Sequence, residues 1–280
     1  MKILITGAYG YIGKHVVNVC LQRGLQTYVV DRKQRESIPG VKFFNIDILE
    51  RAEQNDLYDL LEKPDVIIHC AWQDGFNHKA DSHIINLPKH YLFLKNMIDS
   101  GVKSLAIMGT MHEIGYHEGE INENTPCNPM SLYGIAKNAL RQAVLTYAEG
   151  KDVSIKWLRG YYVVGDDKNN HSIFSKILEM SAEGKKSFPF TSGVNKYDFL
   201  DVNELAKQVV DAAIQNKISG IINVCSGKPV ALKDKVESFI SDNHLDIRPE
   251  YGVFPTRKYD SPAIWGNVEI IRQIKEGAQK

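Results

Sequence analysis

The chain opens on an apolar pentapeptide, Lys2 to Thr6, that runs into Thr6-Gly7-Ala8-Tyr9-Gly10-Tyr11-Ile12-Gly13 and then into a helical pattern from Tyr11 to Arg23. Three glycines between a strand and a helix leave few architectures open. Gly7 permits a tight turn, Gly10 lets backbone approach a ligand, and Gly13 lets the helix pack closely on the strand. The helix N-terminus then offers N–H groups to an anion such as a pyrophosphate. The next apolar run, Leu25 to Val30, ends on Asp31, 18 residues past Gly13. A carboxylate there is placed to accept hydrogen bonds from ribose hydroxyls. Together these features predict a dinucleotide site that includes Gly7, Tyr9, Gly10, Tyr11, Ile12 and Asp31. Asp31 would repel a 2′-phosphate, which favours NAD over NADP. Arg32 and Arg35 work the other way, because a guanidinium can hold a phosphate.

The rest of the first half alternates strand with helix. Strands are expected at 41–44, 65–70, 103–108 and 153–158. Helices are expected at 51–62, 81–100 (with Pro88 kinking or dividing it) and 129–149. Such alternation predicts an α/β fold, a doubly wound parallel sheet of the Rossmann type with helices on both faces. After Gly165 the pattern loosens. Helices return at 171–183, 201–215 and 232–242, and a strand at 220–225, within otherwise irregular chain. We expect a dinucleotide-binding domain of residues 1–165 and 197–225, and a small C-terminal substrate-binding lobe of residues 166–196 and 226–280. Ligands of doubly wound sheets bind at the carboxyl ends of the strands, so the site should lie between sheet and lobe.

Charge and cysteine usage remove other classes. Lys plus Arg and Asp plus Glu both number 34, so no net field draws the chain to nucleic acid or membrane. Cys20, Cys70, Cys127 and Cys225 lie far apart without a CxxC pair, which argues against zinc and for reduced thiols in a cytoplasmic protein. Met1 leads directly into a strand, leaving no room for a signal peptide, and no apolar run approaches the ~20 residues that span a bilayer.

Tyr133-Gly134-Ile135-Ala136-Lys137 lies in the helix expected at 129–149. A spacing of four puts Tyr133 and Lys137 on one face. A phenol titrates near ~10, and a nearby ammonium should lower that value. Tyr133 would then exchange a proton with a carbonyl or hydroxyl while hydride passes to or from a nicotinamide.

With these residues in place, the chain resembles the extended short-chain dehydrogenase/reductases, in particular the NAD-dependent epimerase/dehydratase family acting on nucleotide sugars. Thr6 to Gly13 looks like the family's TGxxGxxG. Asp47-Ile48 is similar to the pair beside the adenine. His69-Cys70-Ala71, followed by Trp72, sits where the family has a His-x-Ala segment lining the cofactor, and Asn86 matches an asparagine of the next helix. The resemblance implies that Thr110 is the hydroxyl beside the substrate oxygen, with Tyr133 and Lys137 as its partners. Leu158-Arg159 is similar to the start of LRxxNVYG, Asp198 to Val202 to RDFxxV, and Arg257 with Asp260 to an Arg-x-x-Asp that holds the nucleotide diphosphate.

Three departures stand out. Tyr162 replaces the asparagine of LRxxNVYG and Tyr197 replaces the arginine of RDF, so the substrate pocket is rebuilt at two positions. After Thr110 comes Met111-His112-Glu113 rather than the Asp-Glu of 4,6-dehydratases, which argues against dehydration. His112 stands two positions after the hydroxyl, where the GDP-fucose synthase branch has an acid/base cysteine. A histidine titrating near ~6.5 suits that task, and equally suits merely lining a polar pocket. His69 reads as structural. His15, His78, His83, His90, His117, His171 and His244 form no ligand pattern.

The resemblance implies a nucleotide-sugar 4-ketoreductase, or 4-dehydrogenase in reverse, of deoxysugar and polysaccharide synthesis. A 4-epimerase retaining NAD is the second reading. A non-catalytic dinucleotide sensor is the third, and Thr110, Tyr133 and Lys137 argue against it. The family also implies a homodimer.

Overall fold

The computed structural model describes residues 1–33, 37–165, 170, 172–255 and 260–278. Seven strands form a parallel sheet: β1 (Lys2–Thr6), β2 (Gln26–Asp31), β3 (Val41–Asn45), β4 (Val66–His69), β5 (Ser104–Thr110), β7 (Ser154–Gly160) and β11 (Gly220–Val224). Their order is β11-β7-β5-β4-β1-β2-β3. The order reverses beside β1, which opens a crevice at the carboxyl ends of β1 and β4.

Helices α1 (Tyr11–Gln22), α6 (Val202–Ile214) and α8 (Glu269–Ala278) cover one face, and α3 (Ser82–Asp99) and α4 (Leu132–Ala148) the other. Strand pleat divides the core between them. Ile3 and Ile5 pack into the first apolar cluster with Val16, Val17, Leu205 and Val209, while Leu4 packs into the second with Phe93, Leu94, Met97 and Leu140. Burial on both faces is why these strands read as unbroken apolar runs rather than alternating ones.

Smaller strands build the other side of the crevice. β6 (Gly119–Ile121), β8 (Tyr162–Val164), β10 (Lys196–Asp201), β12 (Pro229–Ala231) and β14 (Ala263–Gly266) form a second sheet, ordered β12-β10-β14-β6 with β8 beside β10. β9 (Ser187–Pro189) and β13 (Arg248–Glu250) pair beyond it. Helices α5 (Ile173–Ala182) and α7 (Leu232–Asp242) enclose a separate cluster of Phe174, Ile177, Phe188, Phe190, Val236 and Ile247.

Several elements differ from expectation: the short strands β6, β8, β10, β12, β13 and β14 occupy segments where no strand was expected. The helix expected at 51–62 shrinks to α2 (Leu57–Leu60), and Glu62 and Lys63 adopt positive φ. Asn55 and Asp56 interrupt the segment, and such side chains compete for backbone hydrogen bonds. Pro88 neither divides nor ends α3, which runs unbroken through it. Helix α8 was not foreseen: it is short, and only Ile271 and Ile274 are fully buried in it. Among the described residues no helix is long and apolar enough to cross a membrane.

Candidate active site

The glycine turn is held by contact with its neighbours. Gly7 adopts φ +66°, and a Cβ there would stand 2.7 Å from the Ala71 backbone. A Cβ on Gly13 would stand 2.1 Å from the Gly7 carbonyl oxygen. Gly10 donates its N–H to Gly7 O (3.0 Å) and begins α1, whose N-terminus no side chain caps. This turn therefore fits a pyrophosphate. Asp31 ends β2 and Asp47 follows β3, where its Oδ1 accepts from the N–H groups of Leu49 and Glu50, and Ile48 is buried beside it. Tyr9 packs edge-on against Phe43, and the Tyr11 hydroxyl donates to Gly165 O. Arg32 is exposed, and Asn86 donates to Gln73 from α3. Arg35 and Arg257 lie outside the described residues.

Across the crevice, β5 delivers Thr110 and the first two turns of α4 deliver Tyr133 and Lys137. Ser131 caps α4 by accepting from Gly134 N–H (3.1 Å). The Thr110 side chain lowers the Tyr133 phenol, against the larger, opposite effect of burial. Lys137 is only 3% exposed, donates to Met108 O (2.7 Å) and lies 3.8 Å from the centroid of the Trp72 ring. Burial pushes its ammonium down to about 7. Burial also pushes the Tyr133 phenol up to about 12, opposite to the lowering that spacing suggested. Here desolvation outweighs any nearby cation, since Lys137 turns to Met108 and Trp72.

Trp72 anchors a chain of imidazoles. It stacks on His90 (4.5 Å between centroids, 19°) and donates to His83 Nδ1 (3.0 Å). His90 joins His69 (3.0 Å), whose other nitrogen pairs with Thr6 Oγ1 (2.9 Å). Thr6 Oγ1 accepts from Ala71 N–H (3.2 Å), so residues 70–72 are tied to β1.

Outside Tyr133 a cavity of about 280 Å³ is lined by His112, Tyr162, Tyr197 and Asp260, together with His78 and Met111. Its polar groups are imidazole, phenol and carboxyl, suited to hydroxyl-rich ligands. The Tyr162 and Tyr197 rings meet at a tilt, with 4.4 Å between centroids and 39° between planes. His112 meets His78 edge-on (4.3 Å), and burial pushes its imidazole down to about 3. Sequence reasoning missed His78, which stacks on Tyr133 (4.9 Å, 20°) and whose carbonyl accepts Tyr133 N–H. It comes from a loop, and no spacing signals it. Glu113 was also missed as a site residue. It is wholly buried, accepts from Thr110 N–H (2.7 Å) and forms a capping box with Thr110. The Thr-x-x-Glu spacing was the available signal.

Residues 3–225 match the NAD dependent epimerase/dehydratase family. A dTDP-6-deoxy-L-talose 4-dehydrogenase (NAD(+)) of Aggregatibacter actinomycetemcomitans is 46% identical over 270 residues, 95% of this chain and 99% of that protein. A putative UDP-glucose 4-epimerase of Methanocaldococcus jannaschii is 23% identical, covering 98% of this chain and 90% of its own. The solved UDP-Glc/GlcNAc 4-epimerase of Campylobacter jejuni superposes with a TM-score of 0.83 at 20% identity, covering 98% of this chain and 92% of that one. The chain therefore belongs to the NAD-dependent epimerase/dehydratase family.

Proposed function

We propose that this chain is an NAD-dependent 4-dehydrogenase, or 4-ketoreductase in reverse, of a nucleotide-linked 6-deoxyhexose. The observation that carries the reading is the 46% identity, over nearly the full length of both chains, to an enzyme named for that reaction. The placement of Thr110 at the carboxyl end of β5, with Tyr133 and Lys137 near the start of α4, supports it.

NAD, when bound, supplies the hydride acceptor for oxidation and, reduced, the hydride donor for the reverse. Gly7, Tyr9, Gly10, Tyr11 and Ile12 would cradle its pyrophosphate. Asp31 and Arg32 would face the adenosine ribose, Asp47 and Ile48 the adenine. Cys70, Ala71, Trp72 and Asn86 would lie along its length. Tyr133 gives its phenolic proton to the 4-oxygen in reduction and takes it back in oxidation, and Thr110 holds that oxygen. Lys137 steadies the phenolate that appears as the proton leaves. The resting phenol is protonated well above neutral pH, which suits the donor role. Tyr162 and Tyr197 would shape the sugar pocket, and Asp260 with Arg257 would meet the diphosphate.

We also propose that residues 1–165 and 197–225 bind the cofactor while 166–196 and 226–280 form the substrate lobe. The separate apolar cluster around Phe174 and Val236 supports this division, while α8 returns to pack on the seven-stranded sheet and β10 joins the second sheet. The protein is further proposed to be a cytoplasmic homodimer. Four free cysteines suit a reducing compartment, and the exposed Ile85 of α3 and Ile135 of α4 suit a contact between copies.

The test supplies NAD and dTDP-6-deoxy-L-talose to purified protein. One NADH should appear per sugar oxidised, and a dTDP-4-keto-6-deoxy sugar should consume NADH in return. Interconversion of two 4-epimers without added cofactor would instead identify an epimerase.

A further inference from the structure

Directly behind the reacting hydroxyls lies a buried charge cluster that neither the sequence motifs nor the proposed chemistry uses. Glu113 is the third residue after Thr110 and has no exposed surface. Its Oε1 accepts from Thr110 N–H (2.7 Å) and from Trp157 Nε1–H (2.9 Å). Its Oε2 faces Arg159 Nη2 at 3.6 Å and Arg141 Nε at 3.5 Å without a direct hydrogen bond. Arg159 is also fully buried, and Arg141 nearly so. The two guanidiniums spend other donors on Asn122 O, Asn138 Oδ1 and the Cys127 thiol.

A buried carboxylate between two guanidiniums is a costly arrangement when stability alone is at issue, because well-packed apolar side chains would serve as well or better. This carboxylate is also wired to the site. It fixes the backbone N–H of Thr110 at the end of β5. Its negative charge also acts on both Tyr133 and Lys137, favouring the protonated form of each.

We propose that Glu113 is a positioning residue of the reaction: it holds the Thr110 main chain in place and supplies the buried negative charge that keeps Lys137 an ammonium. The inference rests on the oxidoreductase reading above. The groups around Lys137 show why such a charge is needed. Met108 O and the Trp72 ring hold the ammonium, Cys70 lies near it, and His69 and His90 lie behind Trp72. Those two histidines are buried and neutral, and Lys137 itself presses their protonation down. Glu113 is thus the carboxylate acting against burial at this lysine. Burial raises its carboxyl above the usual carboxylate range, and Arg159 from β7 and Arg141 from α4, which face it, favour its ionised form in opposition.

The test is Glu113→Gln, whose amide oxygen can still accept from Thr110 and Trp157 while the charge is gone. Lysine labelled with ¹³C at Cε, with the Lys137 resonance assigned through Lys137→Met, reports the titration without cofactor or substrate. The Lys137 midpoint should fall below the wild-type value, and kcat for ketone reduction should lose its alkaline limb at correspondingly lower pH. Glu113→Asp, which keeps the charge but shortens the reach to Thr110, should return the midpoint towards wild type. If Glu113→Gln alone fails to fold, Glu113→Gln/Arg141→Gln removes a facing guanidinium as well and must show the same downward movement. An unmoved Lys137 midpoint overturns the proposal even where activity falls. A moved midpoint in a protein that turns over no nucleotide sugar upholds the electrostatic link and overturns the reaction assignment instead.

Discussion

The Lys137 ammonium stands 3.8 Å from the centre of the Trp72 ring, and that ring is stacked on His90. An aromatic face attracts a desolvated cation by roughly 0.5–2 kcal/mol. That attraction opposes the burial which brings Lys137 down to about 7. Trp72→Leu should therefore make Lys137 lose its proton at lower pH, and the alkaline limb of kcat for reduction should move the same way. Trp72→Phe, which keeps a π-face, should move it less. Coincident profiles for the leucine and phenylalanine variants would show that the ring only packs.

Tyr133 is the group placed to move the proton. Tyr133→Phe removes the phenolic hydroxyl and keeps the ring stacked on His78. Turnover should fall on the order of 10²–10⁴-fold, with NAD affinity hardly changed. Steady-state rates and a direct NAD titration on the same preparation decide it, and near-normal turnover would remove Tyr133 from the chemistry.

The parallel sheet, the glycine turn and the pairing of Tyr133 and Lys137 on one helix were legible because each rests on local pattern, whereas Thr110 followed only from the family resemblance. Gly7, Gly10 and Gly13 act within one turn, and Tyr133 and Lys137 within one helical turn. Tertiary contacts left weaker traces. His78 reaches Tyr133 through a loop, and Glu113 meets Arg159 only because β5 and β7 are neighbours. Spacing also suggested a lowered phenol at Tyr133, whereas desolvation, which only the packed fold determines, drives it upward. The expected helix at 51–62 failed for the opposite reason. Its apolar period was present, but Asn55 and Asp56 favoured local turns.

Asp31 tests cofactor choice. It ends β2 beside Asn45 of β3, and its Oδ1 lies 3.4 Å from Lys33 N. Losing a charged hydrogen-bond acceptor should weaken NAD binding by ~1.5–3 kcal/mol, so Asp31→Ala should bind NAD less tightly and discriminate less against NADP. Titrating both cofactors against both proteins measures this. A wild-type preference for NADP would transfer the selectivity to Arg32 or Arg35.

The buried imidazoles should make the fold sensitive to acid. Burial holds His90 down to about 3 and His69 well below the usual histidine range. The unfolded chain takes up protons at these positions near ~6.5, whereas the folded chain does not until far lower pH. Stability is therefore unaffected above that value and falls as pH drops from it towards 3, by up to ~1.4 kcal/mol per pH unit for each such group. His90→Gln removes one of them. The drop in Tm between pH 6.5 and pH 4 should be shallower in that variant than in wild type. Parallel Tm curves would show that His90 contributes no proton linkage.

His112 decides whether the enzyme does more than move hydride. Its position two residues after Thr110 suits an acid/base that exchanges a proton beside a keto carbon. Its surroundings argue against that role. It is packed against His78 and Tyr162, its backbone N–H is held by Thr110 Oγ1 (3.2 Å), and burial brings its imidazole down to about 3. A base that weak is poorly matched to proton abstraction at neutral pH, where catalysis favours groups titrating near the working pH. A neutral imidazole can still donate to or accept from a sugar hydroxyl. The expected outcome is that wild-type enzyme, incubated with a 4-keto nucleotide sugar in deuterated buffer, reduces it without incorporating deuterium next to the ketone. His112→Asn should then raise KM for the sugar several-fold while kcat changes little, as for a contact made equally in ground and transition states. Deuterium incorporation that is present in wild type and absent in His112→Asn would reverse this conclusion and make His112 an epimerising acid/base.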